Sequence, residues 1–272
     1  MKKIFLSTAV LFIAVFSLLN FSSCKRNNDS SAVDATSVED NSLAEKHFDL
    51  MYNEVDDASV SSGIGSRARK YTVTIDTSVS PRVMTLDYGD SNVLCDDYVY
   101  RRGKIVVTWT GRYKDLGTII TITPVNFYQN DNHIEGTKIV TNMGRNSSNN
   151  LTWKIEVAGK ITDVSGATFT WNSLRYRTWI AGEATKLIRL DDKYQITGSY
   201  TGTNRKGVTF NVTILSPVLV ELGCRYHITQ GKIEIVDANN AARKIEVDFG
   251  NGTCDNVGTY TVNGVTKTFV KR

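Results

Sequence analysis

A chain of 272 residues with 41% hydrophobic side chains and only three prolines holds enough apolar material for one large domain or two modest ones, which excludes a disordered polymer. The formal charge of +4 is unevenly spread: residues 25–62 carry three basic and nine acidic side chains, a net of −6, and once the two lysines at positions 2 and 3 are set aside, residues 63–272 carry +8. A basic domain could attract anionic glycans, lipid phosphates or nucleic acid, but no Lys/Arg run exceeds a pair, so the charge reads as a solvated β surface and no nucleic-acid partner is expected.

Lys2 and Lys3 precede an apolar run over residues 4–19 and then Phe21-Ser22-Ser23-Cys24. That is the layout of a secretory signal peptide: a positive start, an apolar stretch, and small residues before the cut. The run of about 16 residues is shorter than the ~20 needed to span a bilayer. Its small-small-Cys ending resembles a bacterial lipobox, which implies removal of residues 1–23 and acylation of Cys24 as the new N-terminus. Each buried methylene of such a lipid adds about 0.8 kcal/mol to membrane attachment. Residues 24–36 are polar and read as a flexible tether.

Residues 37–62 place Leu43, Phe48, Met51 and Val55 close to one face at a 3.6-residue period, with Glu39 and Asp40 in the first turn. This predicts one acidic helix, able either to dock on the basic domain or to stand in solvent, ended by Ser61-Ser-Gly-Ile-Gly65. Residues 63–272 read as a single all-β domain. Around a turn at residues 78–81, Ile75 faces Met84, Val73 faces Leu86 and Tyr71 faces Tyr88, while Thr74 and Thr85 take the other face. Further strands are predicted over 104–110, 118–127, 133–141, 151–157, 167–180, 194–201 and 208–215, separated by Gly, Asn and Asp turns. Short connections make this a large antiparallel β-meander. Its apolar side must be covered by a second layer or by rolling up.

One stretch occurs twice. Asp87-Tyr88-Gly89 leads to Cys95-Asp96-Asp97, and Asp248-Phe249-Gly250 leads to Cys254-Asp255-Asn256. Three cysteines remain after Cys24, and one hairpin accounts for two of them. If facing residue numbers sum to 478, Ile233 meets Ile245, Glu234 meets Lys244, Lys232 meets Glu246, and Cys224 falls opposite Cys254. A Cys224–Cys254 disulfide follows, contributing roughly 3–4 kcal/mol of chain entropy. The same arithmetic puts Ile64 opposite Cys95, which leaves that thiol without a local partner: free and buried, with a partner thiol or a reactive role as the alternatives.

Catalytic candidates are scarce. Three histidines, His47, His133 and His227, have no second His or Cys at ligand spacing, and no P-loop, nucleophile elbow or dinucleotide fingerprint occurs. No cofactor and no catalytic residue are assigned. Oxygen ligands for calcium could come from Asp87, Asp90, Asp248 and Asp255, with Asp96, Asp97, Asn251 and Asn256 nearby, but the spacing fits no EF-hand and these residue types also stabilise turns. Nothing singles out a carboxylate pair for glycoside hydrolysis. Trp109, Trp153, Trp171 and Trp179 lie on strands, where they either fill a core or stack on sugars.

The lipobox, the acidic segment Glu39-Asp-Asn-Ser-Leu-Ala-Glu45, Leu86-Asp-Tyr-Gly89, Arg102-Gly-Lys-Ile-Val-Val-Thr108 and Asp248-Phe-Gly-Asn-Gly-Thr-Cys254-Asp-Asn256 together resemble the uncharacterised envelope lipoproteins of Bacteroidota. The resemblance spans nearly the whole mature chain and transfers no catalytic residues. It implies an outer-membrane lipoprotein, attached through its lipid. Because Lys25-Arg26-Asn-Asn-Asp29 is not the acidic surface-export stretch of that group, the periplasmic side is favoured over the cell surface. The sequence therefore points to a non-enzymatic binding or scaffolding protein with envelope proteins or glycans as partners. A carbohydrate-binding or glycan-processing accessory protein is the alternative, and a lipid or lipopolysaccharide carrier the third option.

Overall fold

The computed structural model describes residues 35–60, 70–185 and 188–271. The expected signal peptide, Cys24, most of the tether and the 61–65 break lie outside the described residues.

The acidic segment forms α1 (Ala35–Val60). Ala44, Phe48, Met51, Val55 and Ala58 repeat at alternating steps of four and three, and all are buried, as the periodicity requires. A second, polar face is buried as well, through Ser37, Asp40, Asn41 and His47. Among the described side chains of α1, only the stripe Glu39, Ser42, Lys46, Asp49 and Asn53 is exposed.

The strands are β1 (Thr72–Asp76), β2 (Arg82–Asp87), β3 (Val93–Leu94), β4 (Tyr100–Trp109), β5 (Ile119–Gln129), β6 (Asn132–Arg145) and β7 (Leu151–Thr162), then β8 (Thr168–Ala181), β9 (Lys193–Thr203), β10 (Thr209–Glu221), β11 (Ile228–Asp237), β12 (Asn240–Asn251), β13 (Val257–Val262) and β14 (Val265–Val270). They form one antiparallel sheet in sequence order, with β3 attached beside β4. The all-β meander with one N-terminal helix is thus observed, as a single sheet that is not closed. Side chains of α1 reach Tyr88 after β2, Arg101 on β4, Gln129 on β5, Lys138 on β6, Trp171 and Arg175 on β8, and Arg205 in the β9–β10 turn. A helix met by so many strands, on every side but one narrow stripe, requires a sheet that curls around it.

Period-two alternation sends one set of side chains into this cradle, including Met84, Leu86, Ile105, Val107, Trp153, Val157, Trp171 and Phe210. Gly159 on β7 makes the closest helix–sheet approach possible. A Cβ built there would lie 2.3 Å from Cε2 and 2.4 Å from Cζ of Phe48, so only glycine admits that ring.

The β1–β2 register is the predicted one, with Val73 opposite Leu86 and Ile75 opposite Met84, and the Tyr71 and Tyr88 rings 4.6 Å apart. The β11–β12 register is corrected by two residues: Ile235 faces Ile245, Ile233 faces Val247, and Lys232 faces Asp248. The charge pairs used to set it do form, Lys244 with Glu234 at 2.8 Å and Lys232 with Glu246 at 3.6 Å, but as diagonal rather than facing neighbours. A shift of two preserves the faces, so alternation alone could not detect the error. The Cys224–Cys254 disulfide is present nonetheless, with Cα atoms 5.6 Å apart. Cys224 precedes β11 in a turn closed by the His227 amide on the Cys224 carbonyl, and Cys254 follows β12, so the turns bring the sulfurs together and the ladder does not. β13 and β14, absent from the predicted strands, form a hairpin around Asn263-Gly264.

Candidate functional site

The charged groups concentrate between α1 and the sheet. Asp40, 1% exposed, accepts from the backbone amide and Nε of Arg205, each at 2.6 Å. Glu45 pairs with Arg175, Asp49 with Lys138 at 3.1 Å, and Glu54 with Arg101 at 3.3 Å. Arg101 is fully buried and also grips Asp97 through both terminal nitrogens, at 2.7 and 2.5 Å. Burial pulls the Lys138 ammonium below the usual lysine range, against the opposing pull of Asp49. The opposite charges of the helix and the domain are therefore spent on each other, the docking that the sequence left open. Arg177 has no carboxylate in contact among the described residues and lies among the Tyr52, Trp153 and Tyr194 rings, donating to the Tyr52 and Tyr113 hydroxyls.

His47 is buried, with Nδ1 2.7 Å from the side-chain amide oxygen Oε1 of Gln129. Burial holds its pKa below 6.5, the Lys46 and Arg101 charges act in the same sense, and the Gln129 hydrogen bond opposes them. His133 stacks on Tyr128 with ring centroids 4.5 Å apart, and His227 occupies the turn before β11. Cys95 is free and buried, and burial pushes its thiol pKa up.

The four aspartates proposed for calcium are dispersed into turns. Asp87 accepts from the Gly89 amide at 2.9 Å and pairs with Lys104 at 2.8 Å. Asp248 repeats this with the Gly250 amide at 2.9 Å and Lys232 at 3.0 Å. Asp255 caps the Val257 amide and lies 3.3 Å from Lys271, and Asp90 is exposed beyond Gly89. Among the described residues no three His, Cys, Asp or Glu side chains gather at a point that could hold a metal ion. Trp153 and Trp171 are core residues, and the indole N–H groups of Trp153, Trp171 and Trp179 donate to Tyr113, Asn41 and Asp192.

An open trough of about 370 Å³ lies across the centre of the sheet, on the face away from α1. Register builds its lining as two rows: Thr137, Ala158, Asn172 and Thr201 face one another across β6 to β9, and so do Ile139, Glu156, Leu174 and Ser199. The intervening Val157 and Tyr200 point into the core. Elsewhere on the strands threonine hydroxyls pair with one another, as in Thr152–Thr178, Thr203–Thr209 and Thr261–Thr266. In the trough, Thr137, Asn172, Ser199 and Thr201 have no side-chain hydrogen-bond partner among the described residues. The one carboxylate, Glu156, pairs with Lys154 at 2.9 Å. No sequence motif marks these residues; they become neighbours only once four strand registers are known.

Comparison of the chain with models of known families, with curated proteins and with solved structures finds no match.

Proposed function

We propose that this is a lipid-anchored envelope protein that acts by binding, holding the outer face of its sheet toward a partner from a tether that begins at Cys24. The observation that carries the reading is the division of labour between the two faces of the sheet. The inner face is committed to α1, through a buried apolar stripe and four ion pairs. The outer face keeps a trough with unspent hydroxyl and amide groups. The trough's only carboxylate is already ion-paired, and the other titratable residue of the lining, Tyr200, turns its side chain into the core, which favours recognition over acid–base chemistry. Lipid carriage finds no support in the inner face, because α1 fills it.

The test is site-specific photo-crosslinking in native envelopes. A photoreactive residue at Thr201, in the trough, should give a reproducible product that the same residue at Thr259 on β13 does not. Equal labelling at both positions, or none at Thr201, would count against the reading. Replacing Cys24 with Ser should release the protein from the membrane fraction, and protease shaving of intact cells should leave the wild type intact if it faces the periplasm.

A further inference from the structure

We infer that the trough on β6 to β9 takes a neutral saccharide ring. The inference rests on the binding reading above and names its ligand class.

The chemistry of the lining excludes the other common classes. A phosphate or carboxylate ligand needs a free cation, and the only charged group in the lining is the Glu156 carboxylate, with Lys154 drawn to it. Most of the exposed lining is apolar, but an acyl chain laid along it would cover polar groups in both rows without pairing them: Thr137, Asn172 and Thr201 in one, Glu156 and Ser199 in the other. A flat aromatic ligand needs a stacking partner, and the lining offers no exposed ring, since the Tyr200 side chain is buried on the opposite face. What remains is a ligand with aliphatic C–H faces and a rim of groups that both donate and accept.

A pyranose has that make-up. Ala158, Leu174 and Ile139 provide aliphatic surface, and Ala158 is the shortest side chain in its row, so it opens the floor. Around it, the hydroxyls of Thr137, Ser199 and Thr201 can each donate and accept, and the Asn172 amide offers a donor and an acceptor side by side, the spacing needed by two adjacent ring hydroxyls. Glu156 can accept from a further hydroxyl. Because the hydroxyl and amide groups have no protein partner among the described residues, a sugar displaces only water from them. A volume of about 370 Å³ falls at the small end of ligand sites, enough for one or two rings. Trough residues alternate along each strand with core residues, and Gly159, where Phe48 of α1 presses against the sheet, comes directly after Ala158. The floor thereby rests directly on the packed core.

The experiment uses the full chain with its alanine, isoleucine and leucine methyl groups isotopically labelled. It is titrated with the methyl glycosides of glucose, galactose, mannose and N-acetylglucosamine and their β-linked disaccharides, each to about 20 mM to reach weak sites, with phosphate and acetate as charged controls. Expected are saturable shifts confined to the Ala158, Leu174 and Ile139 methyls, for at least one sugar and for neither anion. Asn172→Ala should weaken binding about tenfold, and Ala158→Trp, which fills the floor from the solvent side, should abolish it with the far-UV spectrum unchanged. Shifts that persist in Ala158→Trp, saturation by an anion, or no saturable shift with any of these sugars would overturn the inference. A specific crosslinked product at Thr201 alongside such a negative titration would leave the binding reading standing and remove only the saccharide; loss of both would remove both.

Discussion

The contact of Phe48 with Gly159 carries a test of how α1 is held. Phe48 is fully buried and packs on Trp171 with ring centroids 5.8 Å apart, so its ring has no room to retreat from a methyl group placed at 159. With that Cβ only 2.3 Å from Cε2, Gly159→Ala should cost about 1–3 kcal/mol through forced displacement. Phe48→Ala alone should cost about 3–5 kcal/mol, as lost transfer energy plus a cavity. In the double variant the methyl group introduced at position 159 enters space that the ring has vacated, so the clash vanishes and part of the cavity is filled. The two costs should then fall short of additivity by about 2 kcal/mol. Urea unfolding of the four proteins with the disulfide intact, at equal m-values, measures this directly. Additivity within about 0.5 kcal/mol would show that Phe48 does not occupy the notch above Gly159.

Other contacts give further expected outcomes. Because burial depresses the His47 pKa, the unfolded chain takes up a proton that the folded chain refuses as pH falls below about 6.5, so stability present above that pH is lost as it drops toward the folded-state value. His47→Gln should flatten the stability–pH slope between about pH 7.5 and 5.5 relative to wild type, and equal slopes would refute the assignment. Replacing Cys224 and Cys254 together with Ser opens a link between residues 30 apart in sequence and should cost roughly 3–4 kcal/mol by urea titration; a loss under about 1 kcal/mol would refute the staple. Tyr98 is 86% exposed and held at φ 62°, so Tyr98→Asn, which suits that conformation and gives up little packing, should raise stability by about 1 kcal/mol, and a lowered melting temperature would overturn this. Asp97→Asn should cost about 2–3 kcal/mol, since it weakens the hold on a fully buried guanidinium, whereas Glu234→Gln, which frees only the exposed Lys244 ammonium, should cost under about 1 kcal/mol; equal losses would refute the distinction.

How much of this was legible in the sequence depends on what sets each feature. The β1–β2 register was readable because three apolar pairs and one threonine pair all demand it and no bulge intervenes. The β11–β12 register was not. The ladder shifts between Asp237, which faces Asn240 beside the turn, and Val236, which faces Lys244, and every pair beyond inherits that offset. Long lysine side chains reach diagonal carboxylates as well as facing ones, so the charge pattern fitted two registers equally. Helical period revealed the apolar stripe of α1 but not the burial of Asp40 and His47, because their burial depends on partners such as Arg205 and Gln129, which lie 165 and 82 residues away. The trough was invisible for the same reason: it exists only in the cross-strand direction.

The repeated Asp-aromatic-Gly stretch shows one local device serving two surroundings. In each copy the aspartate caps the glycine amide two residues on and pairs with a lysine of the neighbouring strand, so the turn itself is encoded locally and needs nothing from the rest of the fold. Beyond the turn, the two copies diverge according to their neighbours. The first copy runs under the C-terminal half of α1, where Tyr88 donates to Glu54 and Arg101 ties Asp97 to the same glutamate; Cys95 there is free and buried, its thiol 3.7 Å from the Val93 carbonyl oxygen. The second copy lies at β12 and β13, away from the ion pairs of α1, and its loop is held by the buried Lys271 ammonium, which donates to the Phe249 and Ile228 carbonyls at 3.0 and 3.1 Å and lies 3.3 Å from Asp255. There the exposed Cys254 is also tied to the buried Cys224, so the second loop carries a covalent bond in addition to a buried cation. A free Cys95 and a bonded Cys254 therefore sit in loops closed by the same device, a buried cation on an aspartate that follows the cysteine: Arg101, shared with Glu54 of α1, at the first copy, and Lys271, directly after β14, at the second.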